Sequence, residues 1–122
     1  MKQNKDNLAY IKYIRDAVEK ISNYVSYKSY DNFINSEWDQ AAVMRYFEII
    51  GEAVSHIDQE FKDTYPEIEW RDMSDFRNFL IHDYMDVDLK IVWNCMTNDI
   101  PGLKVKIDKI LIIRIPRSST SG

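Results

Sequence analysis

The chain has 122 residues, 45% hydrophobic and 30% charged, a composition that fits one globular domain and excludes two substantial ones. Its formal charge of −4 gives no support to nucleic-acid binding, because phosphate contacts need Lys and Arg. Only three Gly and three Pro interrupt the chain, which favours long helices.

Cysteine content and apolar runs indicate the compartment. Cys95 is the single cysteine, which excludes an intrachain disulfide and a Cys-based zinc cluster and fits a reducing cytoplasm. No apolar run approaches the roughly 20 residues that cross a bilayer. Residues 1–6 lack the apolar stretch of a signal peptide. We therefore expect a cytoplasmic protein without a membrane segment.

The first half of the chain predicts two long helices with a short one between them. Apolar residues from Leu8 to Val25 recur at helical spacing and predict the first helix. Residues 30–35 fit a short helical turn, and Ser36 can cap the next helix. The apolar face of this second long helix continues to Phe61, and Pro66 predicts its end just beyond.

The second half predicts two further helices. One covers about residues 68–83, and Asp86 can cap the other. The last helix carries a seam with alternating spacings of four and three, typical of lengthwise packing in a bundle: Leu89, Trp93, Met96, Ile100, Leu103, Ile107 and Ile110. Pro101 interrupts this seam, so we expect a kink there and not two unrelated helices.

These elements predict an all-α fold, an antiparallel four-helix bundle with an additional short helix. The domain covers residues 1–115. From their polar composition we expect residues 116–122 to form a flexible tail, and this composition is also typical of a vector-derived extension.

A candidate site lies on the third long helix. On a helical wheel, Arg77 and His82 stand about 140° apart with Asn78 between them, so all three can line one groove. Ile81 and Met85 lie on this polar side, although they are apolar. A second subunit would cover them.

The residue types suit metal-free cleavage of an RNA phosphodiester. An imidazole such as that of His82 can take a proton from a ribose 2′-hydroxyl or give one to the leaving 5′-oxygen. Arg77 can stabilise the negative charge that builds on the phosphate. One histidine cannot easily be acid and base at once, but a two-fold dimer would bring two copies together.

Four residues separate Arg77 from His82, and one residue separates His82 from Tyr84. This spacing resembles the Arg-x4-His-x-Tyr signature of HepT-like HEPN proteins. Further blocks resemble the same family over about residues 5–112. They are the stretch 42–53, which looks like its second long helix, residues 70–73 ahead of the motif, and Trp93 with the stretch 99–103 in the last helix.

The resemblance implies a HEPN fold and a metal-independent endoribonuclease toxin of a type VII toxin–antitoxin system, acting as a homodimer. It makes Arg77 and His82 catalytic, with Asn78 as a polar helper. Cleavage would need no cofactor. The implied partner is an MntA-type minimal nucleotidyltransferase, an antitoxin that uses ATP and Mg²⁺ to attach AMP to Tyr84. Bulk and charge added beside Arg77 would block the substrate phosphate.

Other interpretations stay open. The chain could be a helical dimer that presents a substrate or nucleotide to a nucleotidyltransferase without cleaving anything, or Arg77 could form a surface salt bridge with Asp72 or Asp75. Glu52 and His56 could hold a metal, although Arg45 and Glu48 on the same side favour an ion-pair network.

The charges around the motif oppose RNA binding. Residues 69–90 contain six acidic and three basic residues. RNA would be guided from elsewhere, and the strongest basic strip lies in residues 102–117, which hold Lys104, Lys106, Lys109, Arg114 and Arg117 against Asp108.

Overall fold

The computed structural model describes residues 5–82 and 86–114, and every long element in it is helical. The helices are α1 (Lys5–Tyr27), α2 (Tyr30–Ile34), α3 (Glu37–Ser55), α4 (Gln59–Thr64), α5 (Trp70–His82), α6 (Leu89–Asn94) and α7 (Ile100–Arg114), with a π-helical turn at Cys95–Asp99 between the last two. The predicted all-α class is confirmed. Within the described ranges, no helix is both long and apolar enough to cross a membrane.

Four long units form the bundle: α1, α3, α5 and the continuous stretch from α6 through α7. Helix α3 packs between α1 and α5, and α1 also packs against α7. The two ends of α1 show that it runs antiparallel to α3. Near its C-terminal end Tyr24 donates to Asp39 (2.7 Å), at the start of α3, and near its N-terminal end Asn7 donates to Asp58 (3.1 Å), just beyond α3.

The core is built from the apolar faces predicted by helical spacing. Fully buried side chains include Ile11, Ile14, Val18 and Ile21 of α1, Phe33 of α2, Val54 of α3, Leu80 of α5, and Val92, Met96, Ile107 and Ile110 of the last unit. The seam of the last unit is therefore confirmed, with its central members buried.

Two predicted boundaries are wrong. The second long helix does not continue to Phe61, because it ends at Ser55 and α4 begins at Gln59. The backbone N–H of Asp58 donates to Asn7 Oδ1 (3.1 Å), which fixes the break between the two helices. Asp88 and not Asp86 caps α6, since its side chain accepts from the N–H of Lys90.

Pro101 lies in the first turn of α7, directly after the π-helical turn. The Ile100 N–H donates to Cys95 O, five residues earlier, which is π-helical bonding. Because proline has no N–H, the regular ladder is interrupted at this point. The two parts remain one unit, and the irregularity takes the form of the π-helical turn.

The bundle is open on one side. Helix α5 packs mainly on α3, and a groove of about 390 Å³ separates it from the π-helical turn and α7. We call this the α5–α7 groove. Apolar side chains of α3 and α5 form its floor, and Glu69, Asp72, Asp99 and Lys106 are among the charged residues that line it.

Candidate active site

Helix α5 carries the candidate site and is fixed to the bundle at both ends. At its start the buried Trp70 donates its indole N–H to Tyr65 O (3.0 Å). Near its other end Leu80 is fully buried. Between them the rings of Phe76 and Phe47 of α3 meet edge to face, with centroids 4.9 Å apart. These contacts leave the opposite side of α5 free to present polar residues.

Arg77 crosses α3 at Gly51. A Cβ at Gly51 would collide with Arg77 Cβ and lie 2.7 Å from its Cδ, closer than carbon atoms pack. The glycine therefore provides the space in which the arginine stem lies. The guanidinium Nη2 then reaches Glu52 Oε1 at 2.9 Å. Arg77 is thus held by α3, and not by Asp72 or Asp75 of its own helix.

Glu52 contacts two basic side chains, Arg77 of α5 and His56 just beyond α3. Its second oxygen lies 3.2 Å from His56 Nε2, one turn further along the chain. The His56 ring stacks on Tyr10 of α1, with centroids 4.9 Å apart and planes 14° from parallel. Arg45 and Glu48 form a neighbouring pair at 3.5 Å. The predicted ion-pair network around Glu52 and His56 is confirmed, and it extends to Arg77.

These residues line a cleft of about 410 Å³ between α1, α3 and the C-terminal half of α5, which we call the Arg77 cleft. Its lining is Tyr10, Tyr13, Arg45, Glu48, Ile49, Glu52, Ala53, His56, Arg77 and Ile81. Arg77 and Ile81 are the contributions of α5, so the cleft borders directly on the predicted motif.

The other predicted site residues lie on the solvent side of α5. Asn78 and His82 are both exposed, and neither lines the Arg77 cleft. Ile81, between them and the cleft, is apolar but 47% exposed. Of the three residues predicted to line one groove, only Arg77 lines this cleft, whereas Asn78 and His82 face solvent outside it. Met85 and Tyr84, the predicted site of modification, lie outside the described residues.

Within residues 5–82 and 86–114, no group of three or more His, Cys, Asp or Glu side chains is arranged to hold a metal ion. Glu52 and His56, weighed as a metal pair, are bonded to each other. The chemistry that the described motif side chains offer is that of an imidazole, a guanidinium and an amide.

The basic strip of the last helix is only partly available to RNA. Lys104 pairs with Asp108 at 3.2 Å, and Lys106 lines the α5–α7 groove beside acidic residues. Cys95 also lines this groove. Burial, with the nearby charge of Asp99 and a hydrogen bond to it, raises the pKa of the Cys95 thiol to about 12. This thiol is therefore not a nucleophile at neutral pH.

Two contributors to the site escaped prediction. Gly51 stands inside a helix, which is a signal for a close approach of another element, but nothing local says which residue approaches. Tyr10 lies in α1, far in sequence from the motif, and only the folded bundle brings its ring to His56.

A sequence model of the family described as "Ribonuclease HepT-like" matches residues 14–110, most of the chain. The chain belongs to the HepT-like ribonuclease family. Its predicted membership and its predicted enzyme class, a ribonuclease, are confirmed at this level. No solved structure matches the chain.

Among its relatives, "Probable ribonuclease HepT" of Thermococcus cleftensis is 40% identical over 101 residues, covering 83% of this chain and 92% of that protein. "Putative RNase MJ1380" of Methanocaldococcus jannaschii is 31% identical, covering 85% and 95%. "Gamma-glutamylcyclotransferase and putative RNase MJ0434" of the same organism is 39% identical over 107 residues. That match spans 88% of this chain but only 48% of the relative.

Proposed function

We propose that this HepT-family chain is a metal-independent endoribonuclease toxin whose site is built from Arg77 and His82 of two subunits. The observation that carries the proposal is the placement of Arg77, with its stem over Gly51 and its guanidinium on Glu52, five residues before the exposed His82 on the same helix. The glycine and the carboxylate hold a cation in place beside an imidazole that RNA can reach.

The reaction follows from these groups. One His82 imidazole takes the proton of a ribose 2′-hydroxyl, and the 2′-oxygen forms a bond to the adjacent phosphorus. The bond to the 5′-oxygen breaks, and a second imidazole, the other subunit's copy of His82, protonates that leaving oxygen. Arg77 stabilises the charge on the non-bridging oxygens. The products are a 2′,3′-cyclic phosphate and a 5′-hydroxyl. The Asn78 amide can donate to the same phosphate.

Arg77 can serve both Glu52 and a phosphate. A guanidinium has five N–H donors, and the contact with Glu52 at 2.9 Å uses Nη2. Its side chain is 31% exposed, so part of the fork faces solvent. Glu52 therefore orients the guanidinium and leaves some of its N–H donors for a phosphate. Such preorganisation is what electrostatic catalysis requires.

The dimer is supported by Ile81. It is an apolar residue, 47% exposed, beside His82 and at the rim of the Arg77 cleft. A two-fold contact across this face would bury it and bring two copies of the motif together, because such a contact joins the same patch of both subunits.

Cleavage of a short single-stranded RNA by purified protein in EDTA tests the proposal. We expect Arg77→Ala and His82→Ala to lose at least 100-fold in rate and to remain folded by circular dichroism. Arg71→Ala is the matched control, since Arg71 is an exposed arginine of α5 that does not line the Arg77 cleft. If His82→Ala cut RNA as fast as the parent, the proposal would be wrong.

A mixing experiment tests the shared site. If the two copies of His82 complete one site, a mixed dimer of the parent and His82→Ala holds a single imidazole and is inactive, so an excess of His82→Ala should suppress the parental activity. If each subunit holds a complete site, the parental subunits in mixed dimers keep their activity. A folded dimer that binds RNA but never cuts it would instead favour the nucleotidyltransferase-presenting adaptor.

We propose further that an MntA-type antitoxin silences the site by transferring AMP from ATP, with Mg²⁺, to the hydroxyl of Tyr84. Formation of the new phosphodiester releases pyrophosphate from ATP, and the attached AMP places a negative charge close in sequence to His82. Mass spectrometry after incubation with the antitoxin, ATP and Mg²⁺ should find AMP on Tyr84 and none after Tyr84→Phe. AMP on the exposed Tyr27 instead would contradict this assignment.

A further inference from the structure

Three aromatic rings form a continuous cluster on one wall of the Arg77 cleft. Tyr10 is the central ring, stacked on His56 and edge to face with Tyr13, whose centroid lies 5.6 Å away. The two outer rings are open to solvent. Tyr13 is 53% exposed, and the His56 side chain is 49% exposed. The cleft therefore presents flat ring surfaces to whatever enters it.

The charges of the cleft are balanced. Arg45 is paired with Glu48, and Glu52 is shared by Arg77 and His56. No surplus of cations draws a phosphate deep into the cleft. Its polar rim offers both carboxylate acceptors and guanidinium donors, the groups that read the edges of a nucleobase.

We propose that the Arg77 cleft is a subsite for one unpaired nucleobase of the RNA that flanks the cleaved phosphodiester. The base stacks on the exposed ring of Tyr13. Its edge meets Glu48, Arg45 and the His56 ring, which is nearly parallel to Tyr10 and therefore steeply inclined to Tyr13. Stacking on aromatic side chains is the usual way in which proteins bind unpaired bases, because every base has a π-face.

The position of the cleft fits this role. Arg77 lines it and is also the proposed phosphate ligand, so a base in the cleft and a phosphate on the outer face of Arg77 belong to adjoining parts of one nucleotide chain. The assignment of this base as a neighbour of the scissile bond rests on the proposed function. The binding of a base by the rings does not.

The α5–α7 groove is a poorer candidate. Its lining includes Glu69, Asp72 and Asp99 against Lys106, so it repels a phosphate backbone that the Arg77 cleft tolerates. The aromatic cluster of α1 and α3 lies on the Arg77 cleft and not there.

The experiment uses a single-stranded oligoribonucleotide with 2′-O-methyl groups, which cannot be cleaved through the 2′-oxygen, and one 2-aminopurine. Its fluorescence falls when the base stacks. We expect quenching with the parental protein, and an oligonucleotide abasic at that position should bind about 5- to 100-fold more weakly. Tyr13→Ala should lose the quenching and a similar factor in affinity, whereas Tyr13→Phe keeps the ring and both signals.

Two further variants separate stacking from other effects. His56→Phe keeps a flat ring without the bond to Glu52 and should retain quenching, while His56→Ala should reduce it. Tyr27→Ala is the matched control, because Tyr27 is 84% exposed and does not line the cleft. Circular dichroism verifies that each variant is folded.

Parental affinity and quenching in Tyr13→Ala and His56→Ala would overturn the subsite. Binding of AMP alone as tightly as the oligonucleotide would also overturn it, in favour of a mononucleotide site. Because the probe cannot be cut, the two proposals fail separately. If the parental protein quenched the probe, and Tyr13→Ala did not, but the parental protein showed no nuclease activity, the base site would stand and the nuclease proposal would be wrong.

Discussion

Replacing Gly51 by alanine should separate the activity of this ribonuclease from its stability. The added Cβ would collide with Arg77 Cβ and lie 2.7 Å from its Cδ. Because Cβ is fixed to the backbone, α5 itself must move away from α3 at this point, by something on the order of 1 Å. Overpacking of this kind costs about 1–3 kcal/mol. Alanine within a helix returns up to about 1 kcal/mol. The free energy of unfolding should therefore fall by roughly 0–3 kcal/mol, a Tm loss of at most about 12 °C.

The loss of activity should be larger. A displacement of about 1 Å at a catalytic group can cost roughly 100-fold in rate. Single-turnover cleavage of a defined RNA measures the rate, and thermal unfolding followed by circular dichroism measures Tm. Gly102→Ala is the matched control, since a Cβ there meets nothing within 4 Å. It should keep full activity and gain slightly in stability. A Gly51→Ala protein that cuts RNA at the parental rate would refute the idea that this glycine positions Arg77.

Three other predictions use the same assays or simple extensions of them. Glu52→Gln should lower the cleavage rate about 10-fold or more, because it releases Arg77. Its Tm should change by no more than about 4 °C, since exposed ion pairs contribute only about 0.2–1 kcal/mol. An unchanged rate would show that Glu52 does not position the arginine. Ile81→Asp should shift the protein from dimer to monomer in analytical ultracentrifugation, and an unchanged mass would exclude this face from the interface. Cys95 should resist alkylation by iodoacetamide at pH 8, because burial raises its pKa to about 12 and keeps the thiol protonated. In the protein unfolded by urea the same thiol should react. Fast modification of the folded protein would contradict this burial.

Helical periodicity was sufficient to predict the bundle but not the break after α3. Ile57 and Phe61 continue the apolar spacing of α3, so the pattern alone extends the helix through them. The helix ends at Ser55 because Asp58 is bonded to Asn7, 51 residues away, and such a contact leaves no local signal. The cap of α6 was misplaced for a simpler reason, since Asp86 and Asp88 are equivalent candidates by residue type.

In the candidate site, too, some features follow from helical spacing and others need the tertiary structure. The spacing of Arg77, Asn78 and His82 sets their directions around one helix whatever the tertiary structure is, but only the fold shows that Arg77 alone lines the cleft. The partner of Arg77 depends on how α5 crosses α3, so the choice between Glu52 and the nearer Asp72 or Asp75 needed the fold. The aromatic wall of the Arg77 cleft likewise exists only when α1 and α3 pack together.

The chemistry of the cut ends tests the central claim most directly. The parental protein, in EDTA, should convert a defined RNA to fragments that end in a 2′,3′-cyclic phosphate and begin with a 5′-hydroxyl, as mass spectrometry of the products would show. A 2′-deoxy nucleotide at the scissile position should block the cut, because it removes the attacking oxygen. Fragments with 3′-hydroxyl and 5′-phosphate ends, or cleavage at the deoxy position, would contradict the roles given to His82 and Arg77.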